Sequence, residues 1–353
     1  MAAPLRPKPL VLKRHEDVMT AAHDPETYSN DVSRFLQVPN GLDGERHRAA
    51  RELLDPFFAP ARMSALEPRL VDVAAALVAQ LPTDTAVDAV GEIGARFAVR
   101  AQSTWLGWPA NIEPELLDWM DDNRRATRSG DLARTTWSAD QFDAIIRRLV
   151  AQRRGADAPD DLTTELVRLR DQDGQPLSTE VLVSVLRNWT GGDLGSMALA
   201  TGVVVHWLMS QPDHQERLRS ASSDVLDSAL DEILRIDDPF VANRRVATRD
   251  ATVSGCPVQA GQQVVLRWTE ANRDPEVFED PARFDPVANA AHNLVYATGP
   301  HACPGRPLAT LELRVITRAL LKKGTLVPAL EPPRRERAPL GGFSRVPIRI
   351  LTP

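Results

Sequence analysis

The segment from Ser178 to Ser210 constrains this chain most. Apolar residues recur through it at helical spacing, Ser178 stands where a side-chain cap would start a helix, and Pro212 stands just beyond its end. One unbroken helix of that length runs roughly 50 Å at 1.5 Å per residue, enough to cross a whole domain. A chain that must cover such a rod on all sides commits to helices packed around it. Further helical patterns at 45–54, 65–81, 88–105, 113–127, 137–154, 160–170, 224–236 and 306–323 supply them. The texture changes between 240 and 268, which alternates around Gly255 and Gly261, and again at Phe343 to Leu351, which reads as a strand. Residues 10–24 read as a short strand followed by a short helix. The expected fold class is mainly α with a small β region, as one domain over residues 1–353, because no linker divides it.

Composition narrows the function classes. The 42 basic and 48 acidic residues give a formal charge of −6, which argues against non-specific nucleic-acid binding. Two cysteines, Cys256 and Cys303, make no disulfide framework. Met1 to Val18 holds several prolines and basic residues but no apolar run of signal-peptide or membrane-span length. The expectation is a cytoplasmic protein that binds neither membrane nor nucleic acid.

One short stretch carries the chemistry. Tyr296-Ala297-Thr298-Gly299-Pro300-His301-Ala302-Cys303-Pro304-Gly305 places a cysteine in a glycine-flanked turn directly before a helix. Backbone N–H groups at a helix start favour a thiolate. A lone cysteine is most often a small buried hydrophobe. As a ligand, it suits haem iron better than zinc, which takes three or four protein ligands.

The spacing Gly-x-His-x-Cys-x-Gly after an aromatic residue resembles the haem-binding loop of the cytochromes P-450, with Tyr296 in the place of Phe and Ala297 where Gly is usual. Other signatures follow in family order. Glu232-Ile233-Leu234-Arg235 resembles the structural E-x-x-R, Arg245 matches a propionate-binding arginine on the next strand, and Ala271 to Pro275 with Phe278 and Phe284 matches another landmark. His47 and Arg51 stand one helical turn apart, as the family's propionate-binding His and Arg do. Glu232 and Arg235 alone read as a solvated pair, and His47 and Arg51 alone as surface groups.

The resemblance implies the P-450 fold, a helical prism with minor sheets, here lacking the usual N-terminal helix. It implies haem b with Cys303 as axial ligand, and His47, Arg51, Arg245 and His301 at the propionates. It also implies electrons from a ferredoxin or other reductase system. Arg48, Arg306 and Arg314 are the expected basic patch for that partner, or else solvated charges.

The long helix departs from the family. Its centre, Asn188-Trp189-Thr190-Gly191-Gly192-Asp193-Leu194-Gly195-Ser196, lacks the usual acid followed by Thr. If Asp193 is the acid, Leu194 replaces Thr; if the register follows Gly192, Leu194 and Gly195 take the two positions. Asp193 and Ser196 are three apart and are candidates for a joint proton relay. Three glycines in five residues serve either close helix packing or room for haem, dioxygen and water.

The pattern also looks like a bacterial subgroup containing aromatic O-demethylases and natural-product enzymes. That likeness puts Leu194, Gly195, Phe240, Val241, Ala242 and Asn243 at the substrate. The expected activity is a haem-thiolate monooxygenase or oxidase acting on an aromatic, phenolic group by hydroxylation, O-demethylation or oxidative aryl coupling. The substrate is a small aromatic molecule, a peptide or a carrier-bound intermediate in secondary metabolism. The alternative is a haem-binding protein without oxygenase activity, a sensor or degenerate paralogue.

Overall fold

A computed structural model describes residues 7–83 and 85–352. The chain starts with β1 (Leu10–Leu12), α1 (His15–His23) and β2 (Tyr28–Ser29). A helical stretch follows: α2 (Gly44–Leu54), α3 (Pro60–Ala79), the short β3 (Val87–Asp88), α4 (Arg96–Leu106), α5 (Glu113–Ser129), α6 (Leu132–Ala151), α7 (Leu162–Arg168), α8 (Thr179–Met209), α9 (Pro212–Arg219) and α10 (Ser223–Ile236). The β-rich part holds β4 (Ala242–Ala247), β5 (Ala251–Val253), β6 (Cys256–Val258), β7 (Gln263–Arg267) and one turn of helix, α11 (Trp268–Ala271). The chain closes with α12 (Arg306–Lys323), β8 (Thr325–Pro328), β9 (Arg334–Arg335), β10 (Phe343–Arg345) and β11 (Pro347–Leu351). Mainly α with minor sheets is what the sequence patterns predict.

The long helix forms as its sequence dictates. Ser178 Oγ accepts a hydrogen bond from the Val181 N–H at 3.2 Å and caps α8. Pro212 ends α8 and also opens α9, an element not expected from the periodicity; proline fits the first turn of a helix, where its missing N–H costs nothing. The expected helix 88–105 is regular only from Arg96, because residues 89–95 are wound more loosely as a π-type turn. That turn lies flat against α8. A Cβ on Gly94 would meet the Ala198 carbonyl oxygen at 2.8 Å, and one on Gly202 would meet Val90 Cγ2 at 2.5 Å.

Two cores result. The larger joins the helices around α8; the smaller joins α1 to the four-stranded sheet through Val18, Tyr28, Val264 and Trp268. That sheet has the order β1-β7-β4-β2, with β1 parallel to β7 and Arg245 opposite Val264 across β4 and β7. The single expected strand 343–351 is two. β10 pairs with β9, and β11 joins β3 and β8 in another sheet. No described helix is long and apolar enough to cross a membrane.

Candidate active site

The cysteine turn is built by its own backbone. Cys303 N–H donates to the Tyr296 carbonyl at 2.9 Å, and Ala302 N–H to the Gly299 carbonyl at 3.0 Å. Ala297 and Gly299 both take the left-handed conformation, at φ 58° and 75°. At Gly299 a side chain is barred twice over, since a Cβ would sit 2.6 Å from the Ala22 carbonyl oxygen. The Cys303 side chain opens into an internal cavity, so its accessible surface is internal rather than outer. Burial raises the thiol pKa, the Asp193 charge adds to that, and the Gly305 and Arg306 N–H groups and the Arg51 charge oppose it. Burial outweighs the helix start, so a thiolate here needs a cation in front of it.

The cavity measures about 360 Å³. Phe58, Trp105 and Trp189 form one aromatic wall, with ring centroids 5.2–5.3 Å apart. A larger surface crevice of about 780 Å³ runs past Arg267, Arg273 and Arg335, but Cys303 does not line it, so it is not the reactive centre.

Three basic side chains converge beside the cysteine loop. The His47 and His301 rings lie 4.0 Å apart, and His301 Nε2 is 3.1 Å from Asp43 Oδ1. Arg245, on the inward side of β4, is 4% exposed and lines the cavity with His301. It has no ion pair among the described residues, and its guanidinium donates only to the Arg244 carbonyl, at 2.9 Å. Burial pulls its pKa down to about 10 against the attraction of Asp43. Burial, then the charges of His301 and Arg51, brings His47 down to about 4. At Asp43 burial pushes upward, but hydrogen bonds from His301, Ser29 and Asn30 prevail and hold it at about 2. A buried guanidinium without a carboxylate is costly alone. It fits a ligand that brings carboxylates to this corner and a cationic metal to the sulfur, which is the chemistry of haem.

Arg51 departs from its expected place. It donates to Asp55 at 2.6 Å and to the carbonyls of Pro300 and Ala302 at 3.3 and 3.1 Å, so it clamps the cysteine loop from α2. Glu232 and Arg235 are not a solvated pair. They make a buried bidentate bridge at 2.7 and 2.8 Å, and Arg235 also reaches the Asn272 and Pro281 carbonyls. Glu232 accepts from Asp285 N–H and Asn289 Nδ2, so every charge is met. The pair ties α10 to the loop that leads into the cysteine turn.

The face of α8 on the cavity carries Asn188, Trp189, Gly192, Asp193, Ser196 and Met197. This corrects the expectation for Leu194, which is fully buried in the main core and off the cavity. Gly195 is not part of the cavity wall either. The three glycines divide: a Cβ on Gly191 would press on Phe142 at 3.3 Å, whereas Gly192 and Gly195 face open space. Asp193 and Ser196 share the cavity face, but no hydrogen bond joins them. Asp193 instead accepts from Gln102 Nε2 at 2.6 Å and meets Glu312 of α12.

After α10, Phe240 and Asn243 line the cavity, while Val241 lines the outer crevice and Ala242 lines neither. In the expected basic patch, Arg314 is engaged by Asp227 and Glu67, and Arg306 by Asp231 at 2.8 Å. Arg48 pairs with Glu45, so the patch offers no unpaired charge.

Sequence reasoning passed over Asp43, Gln102 and Glu312. For Glu312 the signal is visible in retrospect: a lone acid between Leu308 and Val315 on an otherwise apolar helix face.

Comparisons with known proteins agree on the family of this chain. A family model described as Cytochrome P-450 matches residues 129–351. The chain is 31% identical over 326 residues to a vitamin D(3) 25-hydroxylase of Pseudonocardia autotrophica, covering 88% of this chain and 77% of that one. It is 29% identical over 329 residues to an erythromycin C-12 hydroxylase of Saccharopolyspora erythraea, covering 88% and 80%. The solved structure of open cytochrome P-450 Eryk from S. erythraea superposes with a TM-score of 0.87 at 27% identity, covering 97% of this chain and 91% of that one. With a cysteine opening onto a cavity beside an unpaired buried arginine, in this fold and among these relatives, the chain belongs to the cytochrome P-450 family of monooxygenases.

Proposed function

We propose that the chain binds haem b in this cavity and oxidises an aromatic, phenolic group of a natural-product intermediate, free or borne on a peptide or carrier. The reaction is hydroxylation, O-demethylation or oxidative aryl coupling, with electrons from a ferredoxin or other reductase system in the cytoplasm. One observation carries the cofactor assignment: the Cys303 sulfur and the unpaired Arg245 guanidinium open onto the same cavity. When bound, haem supplies the oxidative chemistry, and a thiolate ligand favours O–O cleavage.

The chain supplies the rest. Cys303 provides the sulfur. Arg245 donates planar, charge-assisted hydrogen bonds to a carboxylate, with His47 and His301 beside it. Arg51 holds the cysteine loop by its carbonyls. Phe58, Trp105, Trp189 and Phe240 give the cavity aromatic walls suited to ring stacking. Gly192 leaves the α8 face of the cavity open, which supports entry of a group attached to something larger. The names of the relatives, a vitamin D(3) 25-hydroxylase and an erythromycin C-12 hydroxylase, support hydroxylation of an organic substrate.

The reduced, CO-treated protein should show the thiolate-shifted Soret band, and Cys303→Ser should lose it. A wild-type spectrum in that variant would assign the ligand elsewhere. Phenols, aryl ethers and short Tyr or Trp peptides should perturb the haem spectrum and yield oxidised product with reductase. Binding and turnover confined to non-aromatic compounds would overturn the substrate assignment.

A further inference from the structure

The outer crevice, of about 780 Å³, shares a wall with the cavity onto which Cys303 opens. That wall is the segment 236–241, which leads from the end of α10 to β4. Its residues divide between the two chambers. Asp237 and Val241 line the crevice, Pro239 and Phe240 line the cavity, and Asp238 lines both. Its backbone is held from the crevice side. Arg273 Nη1 donates to the Ile236 carbonyl at 2.9 Å, Gly341 N–H to the Pro239 carbonyl at 3.0 Å, and Thr269 Oγ1 to the Val241 carbonyl at 3.3 Å. All three donors belong to residues that line the crevice. A change there reaches the cavity wall through one short peptide segment.

The acids of the crevice are already met, and two of its cations are not. Arg335 holds Asp237 at 2.5 Å, Arg267 holds Glu270 at 2.6 Å, and Arg128 of α5 holds Glu336 at 2.6 Å. Asp274 accepts from the His15 and Glu276 N–H groups at 2.8 and 3.0 Å. Arg14 pairs with Glu16 and Glu276. Asp238 is 2% exposed; one of its oxygens accepts from Phe240 N–H at 2.7 Å, and the other has no partner among the described residues. Burial raises it well above an ordinary carboxyl, against the Phe240 N–H and with the Asp237 charge. A carboxyl kept neutral donates a hydrogen bond and does not repel an anion. Lys13 and Arg273 remain. Both are exposed, and neither has an acidic partner among the described residues. The one bond of Arg273 to Ile236 leaves most of its donors free.

We propose that this crevice binds a small multivalent oxyanion of the phosphate or carboxylate class, and that the bound anion tunes ligand affinity in the cavity. Lys13 supplies a point charge and Arg273 a planar fork, the two ways in which basic side chains grip such oxygens. Arg273 is also the link. The guanidinium that takes the anion is the one that holds the Ile236 carbonyl, so engaging the anion redistributes its donors and shifts the start of the segment that presents Phe240 to the cavity. Coupling of this kind is reciprocal, since anion and cavity ligand change one another's affinity by the same factor. The tuning rests on haem bound in the cavity; the anion site does not.

The test uses the holoenzyme at constant ionic strength. Calorimetric titration with pyrophosphate, and separately with citrate, should show saturable one-to-one binding of at least one of them. Binding of neither overturns the site. Lys13→Glu should weaken the binding by about tenfold or more, the scale of one charge-assisted contact, with the CO spectrum and thermal midpoint unchanged. Wild-type affinity in that variant places the anion elsewhere and overturns the site. The cavity is read with 4-phenylimidazole, whose nitrogen binds haem iron and whose ring occupies the space in front of it. Saturating anion should shift its spectral Kd by about fivefold or more, and saturating 4-phenylimidazole should shift the Kd of the anion by the same factor. Anion binding without that shift overturns the tuning. Thr269→Val removes the hydroxyl that holds Val241 and should shrink the shift while leaving anion affinity in place. A full shift in that variant overturns the route through the segment. Loss of the thiolate CO band in the wild type would instead defeat the haem assignment and leave the calorimetric result standing, so the two failures are distinct.

Discussion

Ala297 shows how much one residue departs from what its conformation asks for. It holds φ 58° in the cysteine turn, where an L-residue pays about 1–2 kcal/mol and glycine does not. Glycine loses about 0.5–1 kcal/mol through a freer unfolded chain. Ala297→Gly should therefore stabilise the protein by up to about 1 kcal/mol, read as a higher denaturation midpoint. A lower midpoint would show that the Ala297 methyl, packed on the smaller core, matters more than its backbone. At this scale the motif residues were legible because their spacing is local. Cys303, His301, Glu232 and Arg235 stand where their spacing puts them. Arg51 was legible as a neighbour of His47 but not as the clamp on Pro300 and Ala302, since those partners come 249 and 251 residues later.

At the scale of elements, helix existence followed from periodicity, and helix texture did not. The looser turn at 89–95 and α8 meet through Gly94 and Gly202 with no room for side chains. Gly94→Ala would drive a methyl to 2.8 Å from the Ala198 carbonyl oxygen, a backbone atom that cannot swing away. We expect a loss of about 1–3 kcal/mol, measured by chemical denaturation. Gly192→Ala, on the open face of α8, should cost nothing in packing and serves as the control. The sequence showed three glycines at 191–195 but not their division into one packing contact and two openings. That depends on Phe142, which arrives from α6.

For the whole molecule, the decisive join is Glu232–Arg235, which links α10 to the loop at 272–289 and so to the cysteine turn. Arg235→Ala would leave Glu232 buried without its cation. We expect a loss of about 3–5 kcal/mol, with little haem-loaded protein recovered. Near-normal yield and midpoint would show that Asp285 and Asn289 suffice for Glu232. By itself the sequence determined the helical class, the long rod at 178–210 and the ordered motifs, because helix periodicity, capping and tight turns are set within a few residues. Only the tertiary structure decided which side chains face the cavity. It sent Leu194 into the core, put Asp193 against Glu312 across two helices, and left Arg245 buried without a carboxylate. Those outcomes depend on how distant helices rotate to bury their apolar faces, a choice made by packing rather than by any local run of residues.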